Sequence, residues 1–288
     1  MVTGLRWRVL RDDGPDVVVA FDFANGRKEA GFADLAELLP GGRTLLEFEF
    51  GGGDVRDRPL DPTALCRMVL DDLLTDGRRL TATLGYCAGA GLACLLATLA
   101  KDTAAHDCRV VLFDPLVLGS GAVVRNYETG VEGLRPAVDE SDYRAALAVG
   151  RRVVSSAERA YRLPEMIDEL TSGYARLVRR SGERAGLPEE FRDQMVEVEA
   201  ELVSHFASFL AYLATATAVD FGRSWHTDLP SPPVVFASEE HDMPAEFAPL
   251  LRRSFDVPRA SLLSDSRVAA MVDELLGQRP GPEGTPPE

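Results

Sequence analysis

At 288 residues, with 45% hydrophobic and 27% charged side chains, the chain can hold one large α/β domain or a core with an insertion. Its formal net charge of -15 argues against nucleic acid and against an anionic membrane surface, because Lys and Arg carry binding to phosphates. No apolar run approaches the roughly 18 residues of a membrane-spanning helix, and the start MVTGLRWRVLRDD lacks the apolar core of a secretion signal, so a cytoplasmic location is expected.

In chain order, Leu5 to Leu10 alternates as an edge strand, and Val17 to Asp22 (VVVAFD) is the continuous apolar run of a buried parallel strand. Phe32 to Leu39 has helical spacing and stops at Pro40-Gly41-Gly42. Thr44 to Phe50 reads as a strand, Pro62 to Leu74 as an amphipathic helix, Thr81 to Tyr86 as a strand and Ala88 to Lys101 as a helix of small and apolar residues. Arg109 to Asp114, Pro233 to Ser238 and Ala260 to Ser264 complete the predicted strands. This alternation predicts an α/β fold with a mostly parallel sheet flanked by helices. Between Leu118 and Phe221 only helical segments are predicted, at 141–162, 164–180 and 188–216. The expected division is a core of residues 1–117 and 222–276, a helical lid insertion over 118–221 and a Pro- and Gly-rich disordered tail over 277–288.

Four cysteines, Cys66, Cys87, Cys94 and Cys108, contain no CxxC pair, so neither a zinc site nor any other metal is expected. Cys66, Cys94 and Cys108 sit in apolar contexts and read as small core residues. Cys87 differs. It centres Gly85-Tyr86-Cys87-Ala88-Gly89, a Gly-x-Cys-x-Gly between a strand and a small-residue helix, which is the setting of a nucleophile elbow. The glycines suit a turn too tight for a β-carbon, and the alternative is a small apolar residue in that turn.

With this elbow, Asp114 ending the next strand and the position of the insertion, the chain resembles an α/β-hydrolase of the thioesterase type, here with Cys in place of the nucleophilic Ser. Those enzymes release or edit acyl chains on peptide-synthetase and polyketide-synthase carrier proteins. The resemblance spans the core from about Val17 to Leu276 and implies the α/β-hydrolase fold. It implies Cys87 as nucleophile, Asp114 as the acid of a triad, and the backbone N–H groups of Ala24 and Ala88 as the oxyanion hole. The family's Pro-Pro before that oxyanion loop is missing here, where Phe21 to Gly26 reads FDFANG. No cofactor is implied, and the substrate would be carried on phosphopantetheine. The implied partner is an acyl or peptidyl carrier protein, or a free acyl thioester.

The family's histidine follows the last strand in a Gly-Asp-His-like turn. Here Ser264-Asp265-Ser266 stands there, and Ser266 cannot act as a base near neutral pH. Of the four histidines, His241 is the best candidate base, because it follows the penultimate strand at the catalytic end of the sheet. His106 and His226 fall at the opposite end, and His205 lies in the insertion. Glu239, Glu240 and Asp242 are expected to favour the charged form of His241.

A thiol depends less on a strong base than a hydroxyl does. A thioester acyl-enzyme also favours transfer or cyclisation over hydrolysis. Two alternatives stand beside that reading: a plain ester or amide hydrolase, and a catalytically degenerate binding or scaffold protein. Carrier proteins are usually acidic, so docking on this acidic chain calls for a local basic patch, either Arg176, Arg179, Arg180 and Arg184 or Arg252 and Arg253.

Overall fold

The computed structural model describes residues 6–23, 29–50, 61–101, 103, 108–119, 121–157, 163–186, 188, 191–221 and 225–277. Among these, seven strands form one sheet: β1 (Trp7–Arg11), β2 (Asp16–Phe21), β3 (Thr44–Phe48), β4 (Arg79–Tyr86), β5 (Arg109–Phe113), β6 (Val234–Ala237) and β7 (Leu251–Ser254). Their spatial order is β1-β3-β2-β4-β5-β6-β7. Only β1 pairs antiparallel, with β3; the other neighbours are parallel.

The central strand β2 shows why VVVAF is apolar throughout. Successive side chains of a strand point to opposite faces. Val17, Val19 and Phe21 pack with Leu65 and Val69 of α2 (Pro62–Thr75) and Leu92 and Leu96 of α3 (Ala90–Ala100). Val18 and Ala20 pack on the other face with Phe32 and Leu35 of α1 (Phe32–Leu38) and with Val268 and Val272 of α8 (Ser266–Gly277). A strand buried on both faces has no polar side to spare.

Between β5 and β6 the described residues form four α-helices: α4 (Ala122–Leu134), α5 (Glu140–Ala157), α6 (Leu163–Ala185) and α7 (Arg192–Thr217). Three helical segments were expected, and α4 is the addition. Its sequence, AVVRNYETGVEGL, carries two glycines and several weak helix formers. Packing accounts for the helix and for the first of its two glycines. Val123, Val124, Tyr127 and Val131 are buried on one face, and a β-carbon on Gly130 would fall 2.7 Å from the Phe206 ring of α7.

The end of the chain departs from expectation more seriously. The last strand is β7, LRRS, and Ala260 to Ser264 belongs instead to a 3-10 helix over Arg259–Ser264. Pro258 leads into this helix. The adjacent Leu262 and Leu263 are both buried there, whereas on a strand they would face opposite ways. Ser266 is consequently not the residue after the last strand. It opens α8 and is exposed. The expected disordered tail falls almost wholly outside the described residues, which end at 277.

Candidate active site

Parallel strands gather functional groups at their carboxyl ends. Here β4 leads into Cys87, β5 into Asp114, β6 into Ser238 and His241, and β7 into the loop that ends at Arg259. Helix α7 touches the short 3-10 turn Cys87–Gly89.

The elbow has the geometry that its glycines require. Cys87 has φ 52°, a left-handed conformation that L-residues adopt at a cost of about 1–2 kcal/mol. A β-carbon on Gly85 would fall 2.6 Å from Ala90 Cα, and one on Gly89 would fall 2.1 Å from the Phe21 carbonyl oxygen. Neither position admits a larger residue. The Leu116 N–H donates to the Cys87 carbonyl at 3.0 Å and fixes the turn from the β5 side. Cys87 is partly exposed, whereas Cys66, Cys94 and Cys108 are buried. Burial pushes those three thiols up, that of Cys108 to about 12.

Asp114 is the second described non-glycine residue with positive φ, at 41°. Its carboxylate is fully buried and accepts from the Ser238 N–H at 2.8 Å and the Ser238 hydroxyl at 2.7 Å. The structure therefore supplies Asp114 with a partner, Ser238, that the sequence did not suggest.

His241 lies beside Asp114, with Nδ1 3.8 Å from Oδ1. That is too long for a hydrogen bond. Its Nε2 is buried and has no hydrogen-bond partner among the described residues, so it is not bonded to the Cys87 thiol. The expected upward shift of this imidazole is corrected. Burial lowers its pKa first of all, Arg259 and Arg252 lower it further, and Asp114 and Asp242 oppose them incompletely. The neutral form is favoured, free to accept or donate a proton at Nε2.

Arg259 escaped the sequence reading. Its Nε donates to the Tyr86 hydroxyl at 3.1 Å, and its guanidinium lies over the Tyr86 ring, 5.4 Å from the centroid. The same Nε is 3.9 Å from Glu29 Oε2, to which the Tyr86 hydroxyl donates at 3.1 Å. Burial lowers the Arg259 pKa, but interactions with Cys87 and Tyr86 outweigh it and raise the value above its ordinary one. Arg259 thus stands against the elbow, in the connection between the last strand and the last helix. A Pro-Arg pair after a strand was the available signal, and misplacing that strand concealed it.

Of the expected oxyanion donors, Ala88 lies buried in the first turn after Cys87, and Ala24 lies outside the described residues. His106 also lies outside them, and His226 belongs to the 3-10 turn Trp225–Thr227 before β6. The His205 ring sits 5.3 Å from that of Phe23, which directly precedes Ala24. Of the aromatic residues of α7, Phe206 stacks on Tyr174 at 3.9 Å within the insertion, whereas Phe209 and Tyr212 pack on Phe23 at 5.2 and 5.7 Å. Among the described residues, no group of three or more His, Cys, Asp or Glu side chains is arranged to hold a metal.

No family model and no curated protein sequence matches the chain. Solved structures do. An α/β-hydrolase family protein from Desulfitobacterium hafniense is 15% identical, with 94% of this chain and 100% of that one covered and a TM-score of 0.51. Homoserine O-acetyltransferase from Staphylococcus aureus is 13% identical over 98% and 91%, with a TM-score of 0.53. The Vlm2 thioesterase domain is 16% identical over 95% and 98%, with a TM-score of 0.50. Together with the strand order and the strained strand-turn-helix at Cys87, these likenesses give the protein the α/β-hydrolase fold.

Proposed function

We propose that the protein is a thioesterase-like enzyme of natural-product assembly, in which Cys87 takes an acyl group from a carrier-protein or pantetheine thioester and passes it to water or to another acceptor. The observation that carries this reading is Cys87 itself: a partly exposed thiol held at φ 52° between a strand and a helix whose glycines cannot be replaced. Strain of this kind persists where the surrounding structure enforces it. In this reading the Ala88 N–H, and that of Ala24, stabilise the developing oxyanion. His241, neutral and with Nε2 unengaged, serves as base towards the acceptor, and buried Asp114 stabilises the imidazolium that forms. The acyl group arrives on phosphopantetheine, presented by an acyl or peptidyl carrier protein or as a free thioester.

One observation favours a second reading, a binding or scaffold protein on the same fold. The Asp114 oxygens are engaged by Ser238, and the His241 Nδ1 is 3.8 Å away, so no connected triad exists in this state. Catalytic hydrogen bonds often tighten only when substrate is bound.

The deciding experiment is intact mass after incubation with a panel of acyl-pantetheine thioesters, beside Cys87→Ala. The expected result is a gain of one acyl group in the wild type and none in the variant. No adduct and no thiol release with any thioester would leave the binding reading. Faster turnover of oxygen esters than of thioesters would make the protein a plain ester hydrolase.

A further inference from the structure

Ser238, the residue after β6, meets both members of the candidate acid–base pair. Its N–H and its hydroxyl donate to opposite oxygens of Asp114, at 2.8 Å to Oδ1 and 2.7 Å to Oδ2. Its carbonyl accepts from the His241 N–H at 3.3 Å and closes the turn that carries the imidazole. Asp114 and Ser238 are both buried, so water does not compete for these bonds. The Asp114 backbone is held as well: its N–H donates to the Phe236 carbonyl at 2.9 Å, with φ at 41°. With one bond on each oxygen the carboxylate is kept from turning. The His241 Nδ1 stays 3.8 Å from Oδ1, about 1 Å beyond an ordinary hydrogen bond.

We propose that Ser238 is a positioning residue that pins the Asp114 carboxylate and so keeps the acid of the site out of hydrogen-bond contact with His241. The proposal rests on His241 being the base of the reading above. A hydrogen bond to a buried carboxylate would stabilise the charged imidazole. The groups that act on this imidazole are Asp114 after β5, Arg252 of β7, Arg259 in the connection beyond it, and Asp242 of its own loop. Burial and the two guanidinium groups prevail over the two carboxylates. Ser238 keeps the balance on the neutral side by denying Asp114 its bond to Nδ1. The acceptor step calls for that form, because a protonated imidazole has no lone pair at Nε2 to take the acceptor's proton. Ser238→Ala removes the hydroxyl alone. The N–H bond to Oδ1 and the carbonyl bond to His241 persist, so the turn is retained. Oδ2 then loses its donor in a buried site, which is costly, and the carboxylate turns to the N–H at Nδ1.

The test is NMR of the imidazole nitrogens and N–H protons across a pH titration, with His241→Gln to identify the His241 signals among the four histidines and circular dichroism as a check on folding. It needs no acyl substrate, so it reads Ser238 even if no thioester acylates the protein. In the wild type His241 should titrate below its ordinary 6.5, without the far-downfield proton of an imidazole N–H bonded to a carboxylate. Ser238→Ala should raise the midpoint by about one pH unit and bring that proton signal into view. Ser238→Thr, which keeps the hydroxyl, should stay near the wild type. Adding Asp114→Asn to Ser238→Ala should cancel the rise. The downfield proton in the wild type would overturn the proposal, and this outcome is readable even if no variant folds. So would a Ser238→Ala titration that superimposes on the wild type, a rise that survives Asp114→Asn, or equal rises in Ser238→Ala and Ser238→Thr.

Discussion

At the scale of the residue, burial of the His241 imidazole and the nearby Arg259 and Arg252 guanidinium groups disfavour its protonated form, despite the acidic residues on either side. The sign of the pH effect follows. In the unfolded chain His241 binds a proton with its ordinary value near 6.5, and in the folded chain only at lower pH. Just below 6.5 the unfolded state holds more protons, so stability falls as pH drops from there towards the folded value, and is full above it. We expect the urea midpoint of the wild type to fall more steeply between about pH 6.5 and 5 than that of His241→Gln, which keeps a polar side chain but cannot titrate. Parallel midpoint curves would mean that the imidazole is solvated in the folded protein.

At the scale of the element, α7 presents two aromatic residues to different tasks. Phe206 stacks on Tyr174 and packs near Tyr127 inside the helical insertion, whereas Phe209 packs against Phe23, which leads into the segment expected to carry an oxyanion donor. Phe206→Ala should cost about 3 kcal/mol in stability, the usual cost of emptying a buried Phe site. Phe209→Ala, at a partly buried position, should cost less stability but slow acylation of Cys87 more, because Phe23 loses its support. Urea midpoints and single-turnover acylation of the two variants check this ordering, and its reversal would detach α7 from the oxyanion loop. The same elements mark what the sequence could convey. VVVAF and Gly-x-Cys-x-Gly were legible because burial on two faces and close backbone approach each leave a compositional trace. Strand β7 left none: all four residues of LRRS are exposed, so no apolar period exists to read. Leu262 and Leu263 imitated a strand while packing from a 3-10 helix, and that substitution hid Arg259 and gave Ser266 a place it does not hold. Burial of His241 was equally out of reach, since its neighbours in sequence are acids, whereas Asp114, Arg252 and Arg259 reach it only through the fold.

At the scale of the whole molecule, a net charge of -15 sets long-range repulsion against any acidic carrier protein, so a productive encounter depends on local positive charge. The two basic groups differ in what they offer. On α6, Arg180 pairs with Glu183 and Arg184 with Asp139, which spends half of that cluster internally. On the edge strand β7, Arg252 and Arg253 are exposed, and neither has an ion-pair partner among the described residues. Arg252 reaches the His241 carbonyl at 3.5 Å, which puts this edge at the rim of the candidate site. Charges on an edge strand also discourage unwanted strand pairing, so their presence alone does not require a partner. A comparison of donors separates the two roles. If β7 guides a carrier, Arg253→Glu should slow acylation from an acidic acyl-carrier protein about tenfold at low salt, and the deficit should shrink as salt screens the charges. The rate with a free acyl-pantetheine should not change, because Arg253 touches none of the reacting groups. Equal rates with the carrier in wild type and variant would leave β7 with the edge-protection role alone and move the docking face elsewhere on the molecule.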